Sequence, residues 1–224
     1  MPTTNAYDAR HSTDVAGSAN PANQEPIVIS IARDYGAEGH EVGKLLSVML
    51  GIPLYDNELL VRSAQRTGVD VDQLAAVDER PQHGPLAFLP DSMDQRSGAD
   101  RAFQAIRQVI LDLGSTRPCI IEGRLSDYIL RRNPNLISVL VTAPLDVRVE
   151  IVRAKHGMTT HDASAFVRKR QHERERFYTR YSNGKWDMYT DKDLVVDRSV
   201  FGREGAAKII AAAYHLKEEQ LGRA

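Results

Sequence analysis

The sequence predicts a three-layer α/β fold built on a five-stranded parallel sheet, and three observations carry that prediction. Five short apolar runs, Ile27–Ala32, Ile52–Tyr55, Cys119–Glu122, Leu136–Thr142 and Asp193–Asp197, have the near-continuous hydrophobicity of strands buried on both faces. The segments between them carry apolar residues that return every three or four positions, so strands and helices alternate as they do in parallel sheets with helical crossovers. The stretch from Ile27 to Leu50 (IVISIARDYGAEGHEVGKLLSVML) reads as strand, glycine-bearing turn, helix. That layout sets a helix N-terminus and bare backbone N–H groups over an anion.

The elements follow in order. Residues 1–25 cannot bury enough apolar surface to offset their ordering entropy and are expected to form a disordered tail, leaving 26–224 as the folded unit. After the first strand, Val42, Leu45, Leu46, Met49 and Leu50 mark a helix that Gly51 ends. Ile52-Pro53-Leu54-Tyr55 is a short second strand closing on Asp56, and Asn57 suits the N-cap of a helix carrying Leu59, Leu60 and Arg62. Residues 79–100, with three prolines and two glycines, read as a long loop. Phe103, Ile106, Ile110 and Leu113 set a helix from about Arg101 to Leu113. The third strand ends on Glu122 and Gly123, and a helix through Asp127–Arg132 stops before Pro134. The fourth strand, Leu136–Thr142, leads into a helix from Pro144 or Leu145 to about His156. Thr160 or Asp162 caps a long basic helix to about Tyr181, and Gly205–Leu216 is the closing helix after the fifth strand.

Composition narrows the function classes. With 42% hydrophobic and 26% charged residues in 224, the chain has the make-up of one soluble globular domain. A net charge of -1 gives no bulk electrostatic pull toward nucleic acid or membrane. A single cysteine, Cys119, excludes a disulfide framework. No apolar stretch approaches the roughly 20 residues of a membrane span, and no signal-peptide core precedes Ile27, so a cytoplasmic protein is expected. There is no nucleophile elbow, no G-x-G-x-x-G after the first strand, and no histidine pair at metal-ligand spacing; His40 alone lies in the loop, where it could meet a phosphate.

In open parallel sheets ligands bind beyond the carboxyl ends of the strands. Here those ends carry Arg33 and Asp34, Asp56, and Glu122-Gly123-Arg124. A carboxylate that closes an apolar strand beside a phosphate loop is a usual holder of Mg²⁺ or its water shell, although such residues also simply end strands and cap helices. Arg168, Lys169, Arg170, Arg174, Arg176 and Arg180 crowd the long basic helix. A solvated face with partial pairing to Glu173 and Glu175 is its plain reading. A nucleic-acid patch is disfavoured, because Tyr178, Tyr181 and Trp186 follow the basic run and do not interleave with it.

Several segments together resemble one family. They are Ala32-Arg33-Asp34-Tyr35-Gly36-Ala37-Glu38-Gly39-His40-Glu41-Val42-Gly43; Gly51-Ile52-Pro53-Leu54-Tyr55-Asp56; Gly123-Arg124 with Asp127-Tyr128-Ile129-Leu130; Ala143-Pro144-Leu145; and the Tyr178, Tyr181, Trp186 set. Over about residues 27–202 the chain is similar to the cytidylate kinase-like family of the nucleoside monophosphate kinases. The resemblance implies a P-loop NTPase fold with a helical lid at about 158–190, ATP as phosphoryl donor, Mg²⁺ as cofactor and CMP or dCMP as the first acceptors to consider. It implies that Gly36, Ala37, Glu38, Gly39, His40 and Glu41 cradle the ATP phosphates. Asp56, Arg62 six positions on, and Arg124 would hold the acceptor, and lid residues Arg170, Arg174 and Arg176 would close over both substrates. Arginine suits such places because its planar fork binds phosphate oxygens in pairs and never loses its charge.

The chain departs from standard patterns at three points. GxxxxGK[ST] is absent. The alignment that places Gly36 as an internal loop glycine puts Gly39 at the usual lysine position and Glu38 at the preceding glycine. An alternative ending on Gly43-Lys44 lengthens the turn by about three residues and sets Lys44 well along the helix, away from its N-terminus. Leu125 stands where cytidylate kinases proper have an aspartate that helps select cytosine. The expectation is that Arg33 or a lid arginine replaces the lysine's charge and that Glu41 or Glu122 holds Mg²⁺. Two other readings stay open: a non-catalytic nucleotide-binding or regulatory protein on the same fold, and a kinase for another small phosphate acceptor.

Overall fold

A computed structural model of the chain describes residues 25–65, 93–184 and 187–223. The expected tail, save Glu25, and most of the expected long loop lie outside them, as does Trp186. In chain order the elements are β1 (Val28–Arg33), α1 (Gly39–Leu50), β2 (Leu54–Tyr55), α2 (Asn57–Gln65), α3 (Met93–Thr116), β3 (Cys119–Glu122), α4 (Ser126–Ile129), β4 (Leu136–Thr142), α5 (Leu145–His156), α6 (Thr160–Tyr181), β5 (Leu194–Asp197) and α7 (Arg198–Gln220). The five strands form one parallel sheet in the order β2-β3-β1-β4-β5, with Val28 beside both Cys119 and Leu136.

Period-two alternation divides the core. Val28 and Ala32 face one side with Phe103, Ile106, Ile110, Ile121 and Leu125, under α2, α3 and α4. Ile29 and Ile31 face the other with Val42, Leu46, Ile120, Val139 and Ile210, under α1 and α7. A smaller cluster of Val149, Val152, Ala163 and Val167 joins α5 to α6. The central strand therefore fixes where its own C-terminal end emerges. That end, Arg33, lies between the ends of β3 and β4.

Several boundaries differ from the sequence expectation, among them the expected helix Asp127–Arg132, which is Ser126–Ile129. Helix α3 starts at Met93, so residues 93–100 are helical where a loop was expected; no proline interrupts 93–116, and once nucleated the helix extends backward despite the roughly 1 kcal/mol that Gly98 costs it. α2 is capped by Asp56, whose Oδ1 accepts from the Leu59 N–H at 3.0 Å, which releases Asn57 for another contact. α6 takes Thr159 as its N-cap, its hydroxyl accepting from Asp162 N–H. α7 begins at Arg198 and breaks at Gly202 (φ 67°, ψ 177°), a conformation that a glycine tolerates and that starts the main run of the helix at Arg203.

Candidate active site

The loop Asp34–Glu38 connects β1 to α1 and is pinned at both ends. Asp34 donates its N–H to Val141 O at 3.0 Å and accepts from Thr142 Oγ1 at 2.6 Å, tying the loop to β4. Gly36 (φ 88°) passes so close to α5 that a Cβ there would lie 2.9 Å from Arg148 O. Glu38 caps α1 from the left-handed region (φ 55°), and its side chain makes no capping bond. The first-turn N–H groups of α1, which no residue within the helix can satisfy, thus point with the positive end of the helix dipole into a cleft. The cleft has a volume of about 580 Å³ and is walled by the loop, α5 and α6.

Arg33 is the central cation. Its Nε lies 2.7 Å from Glu122 Oε1, and its side chain passes between Gly39 and Gly123. A Cβ on Gly39 would come within 2.6 Å of Arg33 Cβ, and one on Gly123 (φ +72°) would collide with the guanidinium. The second oxygen of Glu122 is 2.7 Å from His40 Nδ1, so both carboxylate oxygens are engaged. Hydrogen bonding to Glu122 raises the His40 pKa against the opposing effect of burial. Burial alone would raise the pKa of Glu122, but Arg33 and then His40 outweigh it and hold the carboxyl below its usual value.

The basic helix α6 docks on the same loop. Gln171 Oε1 accepts from Tyr35 N–H at 2.8 Å, and Arg174 Nη1 donates to Arg33 O at 3.0 Å with its guanidinium 5.0 Å from the Tyr35 ring centroid. Arg170 pairs with Glu173 at 2.8 Å and lies 5.6 Å from the Tyr35 centroid. The segment after α6 returns to the loop through Tyr189, whose hydroxyl donates toward Asp34 Oδ1 (3.3 Å) and is 2.9 Å from Glu175 Oε1. Glu38 is held by Arg198, with Arg203 Nη1 at 3.8 Å.

Toward β2 and α2 lies a second group. Arg124 is buried beneath Phe177, its guanidinium 5.7 Å from the ring centroid, and its Nε donates to Asn57 Oδ1. Asp127 and Lys192 form a buried pair at 2.6 Å. No group of three or more metal-ligating side chains occurs among the described residues.

A model of the cytidylate kinase-like family matches residues 28–200. The chain belongs to that family. None of the curated proteins matches it. Solved structures share the fold. They include an uncharacterised protein from Eubacterium ventriosum (24% identity, TM-score 0.62) and TT1252 from Thermus thermophilus (24%, 0.51), each aligned over 84% of this chain and 98% of the other. Shikimate kinase from Bacteroides thetaiotaomicron aligns over the same shares, at 14% identity and a TM-score of 0.50. The parallel five-stranded architecture is thus one that these solved structures share.

Within this cytidylate kinase-like domain, Arg33, Gly36, Glu38, Gly39, His40, Glu41, Glu122 and Arg174 line one cleft. Ala37 is buried behind it. Arg170 lies beside Tyr35, outside the lining, and Arg176 is exposed on another face of α6. Asp56, Arg62 and Arg124 stand apart from the cleft; Arg62 is exposed on α2. Lys44 is exposed in mid-helix, 3.4 Å from Glu41. Sequence reasoning did not assign Lys155 and His156, at the end of α5, to the site, nor Arg198 and Arg203. One signal pointed to the last two: a glutamate in a phosphate loop needs a cation nearby.

Proposed function

We propose that this protein transfers the γ-phosphoryl group of ATP to a nucleoside monophosphate, with CMP and dCMP as the first acceptors. The observation that carries this reading is the Arg33 guanidinium, fixed by Glu122 at the open N-terminus of α1 and flanked by Arg174. A fixed cation at a helix start supplies what a phosphate loop without its lysine lacks. The backbone of Gly36, Ala37, Glu38, Gly39, His40 and Glu41 would receive the phosphates. Arg170 and Arg174 would act from α6 as a lid, and Arg176 would join them if the lid rotates on closure. Asp56, Arg62 and Arg124 would orient the acceptor. Transfer is in line, without a covalent intermediate, so the protein's part is positioning and charge neutralisation.

Mg²⁺ when bound would neutralise charge between the phosphates. Glu41, partly exposed at the first turn of α1, offers it a carboxylate, in keeping with the one or two carboxylates that such sites use. Glu122 has both oxygens engaged, which favours a positioning role toward Arg33. The lone cysteine, Cys119, is buried with its thiol pKa pushed up to about 12, and a reducing cytoplasmic setting suits it.

The test is ADP release measured across the common nucleoside monophosphates and a set of small hydroxyl and phosphate acceptors. CMP or dCMP should give the highest kcat/KM, and Arg33→Ala should lower it by about 100-fold, near 2.7 kcal/mol. Unchanged turnover by that variant removes Arg33 from the mechanism. The burial of Leu125, where an aspartate would select cytosine, favours the reading of another small acceptor, which a different best substrate would establish. The carboxylate of Glu38 in the loop favours a protein that binds nucleotide without transfer; ATP binding with no turnover on any acceptor would establish that.

A further inference from the structure

The Glu38 side chain and its two arginines have no part in the mechanism above. The carboxylate, one residue before α1, contacts Arg198 at the start of α7 and reaches Arg203 just beyond the Gly202 break. Arg203 is half exposed and lines the phosphate cleft together with Glu38, Gly36 and His40. Arg198 is largely buried, and its Nε has no hydrogen-bond partner among the described residues. Burial, and then the nearby Arg203, lower the Arg198 pKa, so the two guanidinia feel one another across a single shared carboxylate. One carboxylate between two guanidinia leaves an excess positive charge at the mouth of an anion-binding loop. A polyphosphate carries more charge and more acceptor oxygens than Glu38 and would satisfy both forks better.

We propose that Glu38 is a built-in competitor for the phosphate chain: it holds Arg198 and Arg203 until a polyphosphate displaces it, whereupon Arg203 becomes a phosphate ligand. This rests on reading the cleft as a phosphate site, and it adds a residue beyond the matched family segment to that site. The backbone of the loop receives the anion, while the Glu38 side chain sets how tightly the anion must bind to enter. Removing the carboxylate should therefore improve binding, the reverse of what substitution in a binding loop ordinarily does.

The experiment titrates the full chain with inorganic tripolyphosphate by calorimetry in metal-free, low-salt buffer. Glu38→Gln, and Glu38→Gly, which suits the left-handed backbone of that position, should each bind about 5- to 10-fold tighter than the parent. Arg203→Gln should bind about 10-fold more weakly, and adding it to Glu38→Gln should erase the gain. Binding no tighter in both Glu38 variants, a gain that survives loss of Arg203, or no binding by any variant would overturn the proposal. Weaker binding of Mg–ATP by Glu38→Gln would make Glu38 a metal ligand and overturn it as well. Because the probe is not a nucleotide, failure of phosphoryl transfer in the ADP-release assay leaves this result standing and is separately readable.

Discussion

At the scale of single residues, Glu122 decides the geometry of the cleft. A carboxylate that closes a buried strand would carry a heavy desolvation cost alone; Arg33 and His40 each take one of its oxygens and offset that cost. In return Glu122 fixes the Arg33 fork beside Gly123, where any side chain would collide with it. The histidine makes part of this arrangement pH-dependent. His40 has a raised folded pKa, so its contribution to stability is fully present below the ordinary value of 6.5 and fades as pH rises through the folded value. Glu122 has a lowered folded pKa, so its contribution is present above the ordinary 4.5 and is lost as pH falls through the folded value. Urea midpoints should therefore show the largest gap between parent and His40→Gln at about pH 5 to 6.5, shrinking toward alkaline pH. A gap that widens with pH would contradict the pairing.

At the scale of elements, α6 and the segment that follows it are fastened from two sides. Gln171, Arg174 and Tyr189 attach them to the loop after β1, and the buried Asp127–Lys192 pair attaches the segment to the start of α4. Burial first, and then Asp34, raise the Tyr189 pKa, so its hydroxyl stays a donor across the physiological range. A buried pair adds little net stability over apolar replacements, yet stranding one partner is costly. Lys192→Met should lower unfolding stability by about 3–5 kcal/mol in urea denaturation, and Asp127→Asn added to it should recover part of the loss. Equal losses in the single and double variants would show that Asp127 is not the group left stranded. The element boundaries that sequence reasoning missed have a common cause. Helix starts depend on caps and on nucleation, and α3 extended backward through residues whose own pattern is weakly apolar. The break at Gly202 lies outside the apolar period that marked the closing helix from Gly205.

For the whole molecule, the sheet order β2-β3-β1-β4-β5 places the first strand at the centre and its loop over the sheet's carboxyl edge. Ligand binding there should couple to global unfolding. At about 100 times Kd, Mg–ATP should add about 2.7 kcal/mol, raising Tm by roughly 5–10 °C for a chain of this size. Arg33→Ala should abolish most of that shift at the same nucleotide concentration, while retaining the far-UV circular dichroism of the parent. An undiminished shift would place the nucleotide elsewhere. None of the helices among the described residues is long and apolar enough to cross a membrane.

The sequence by itself determined the five parallel strands and pointed to the turn after β1 as the candidate site. Strands buried on both faces must be apolar throughout, so β3 and β4 were legible to the residue, and the glycine turn into α1 predicted an anion site although its lysine was absent. It also exposed the anomaly at Glu38, because a carboxylate there would oppose the phosphate binding that the loop's pattern predicts. Which groups answer one another was decided only by the tertiary structure. Arg33 and Glu122 are far apart in the chain and meet because β1 and β3 are adjacent; Glu38 meets Arg198 and Arg203 because α7 packs beside α1. Strand and helix patterns follow from local periodicity, whereas charge pairing across elements depends on strand order and helix docking, which no local pattern encodes.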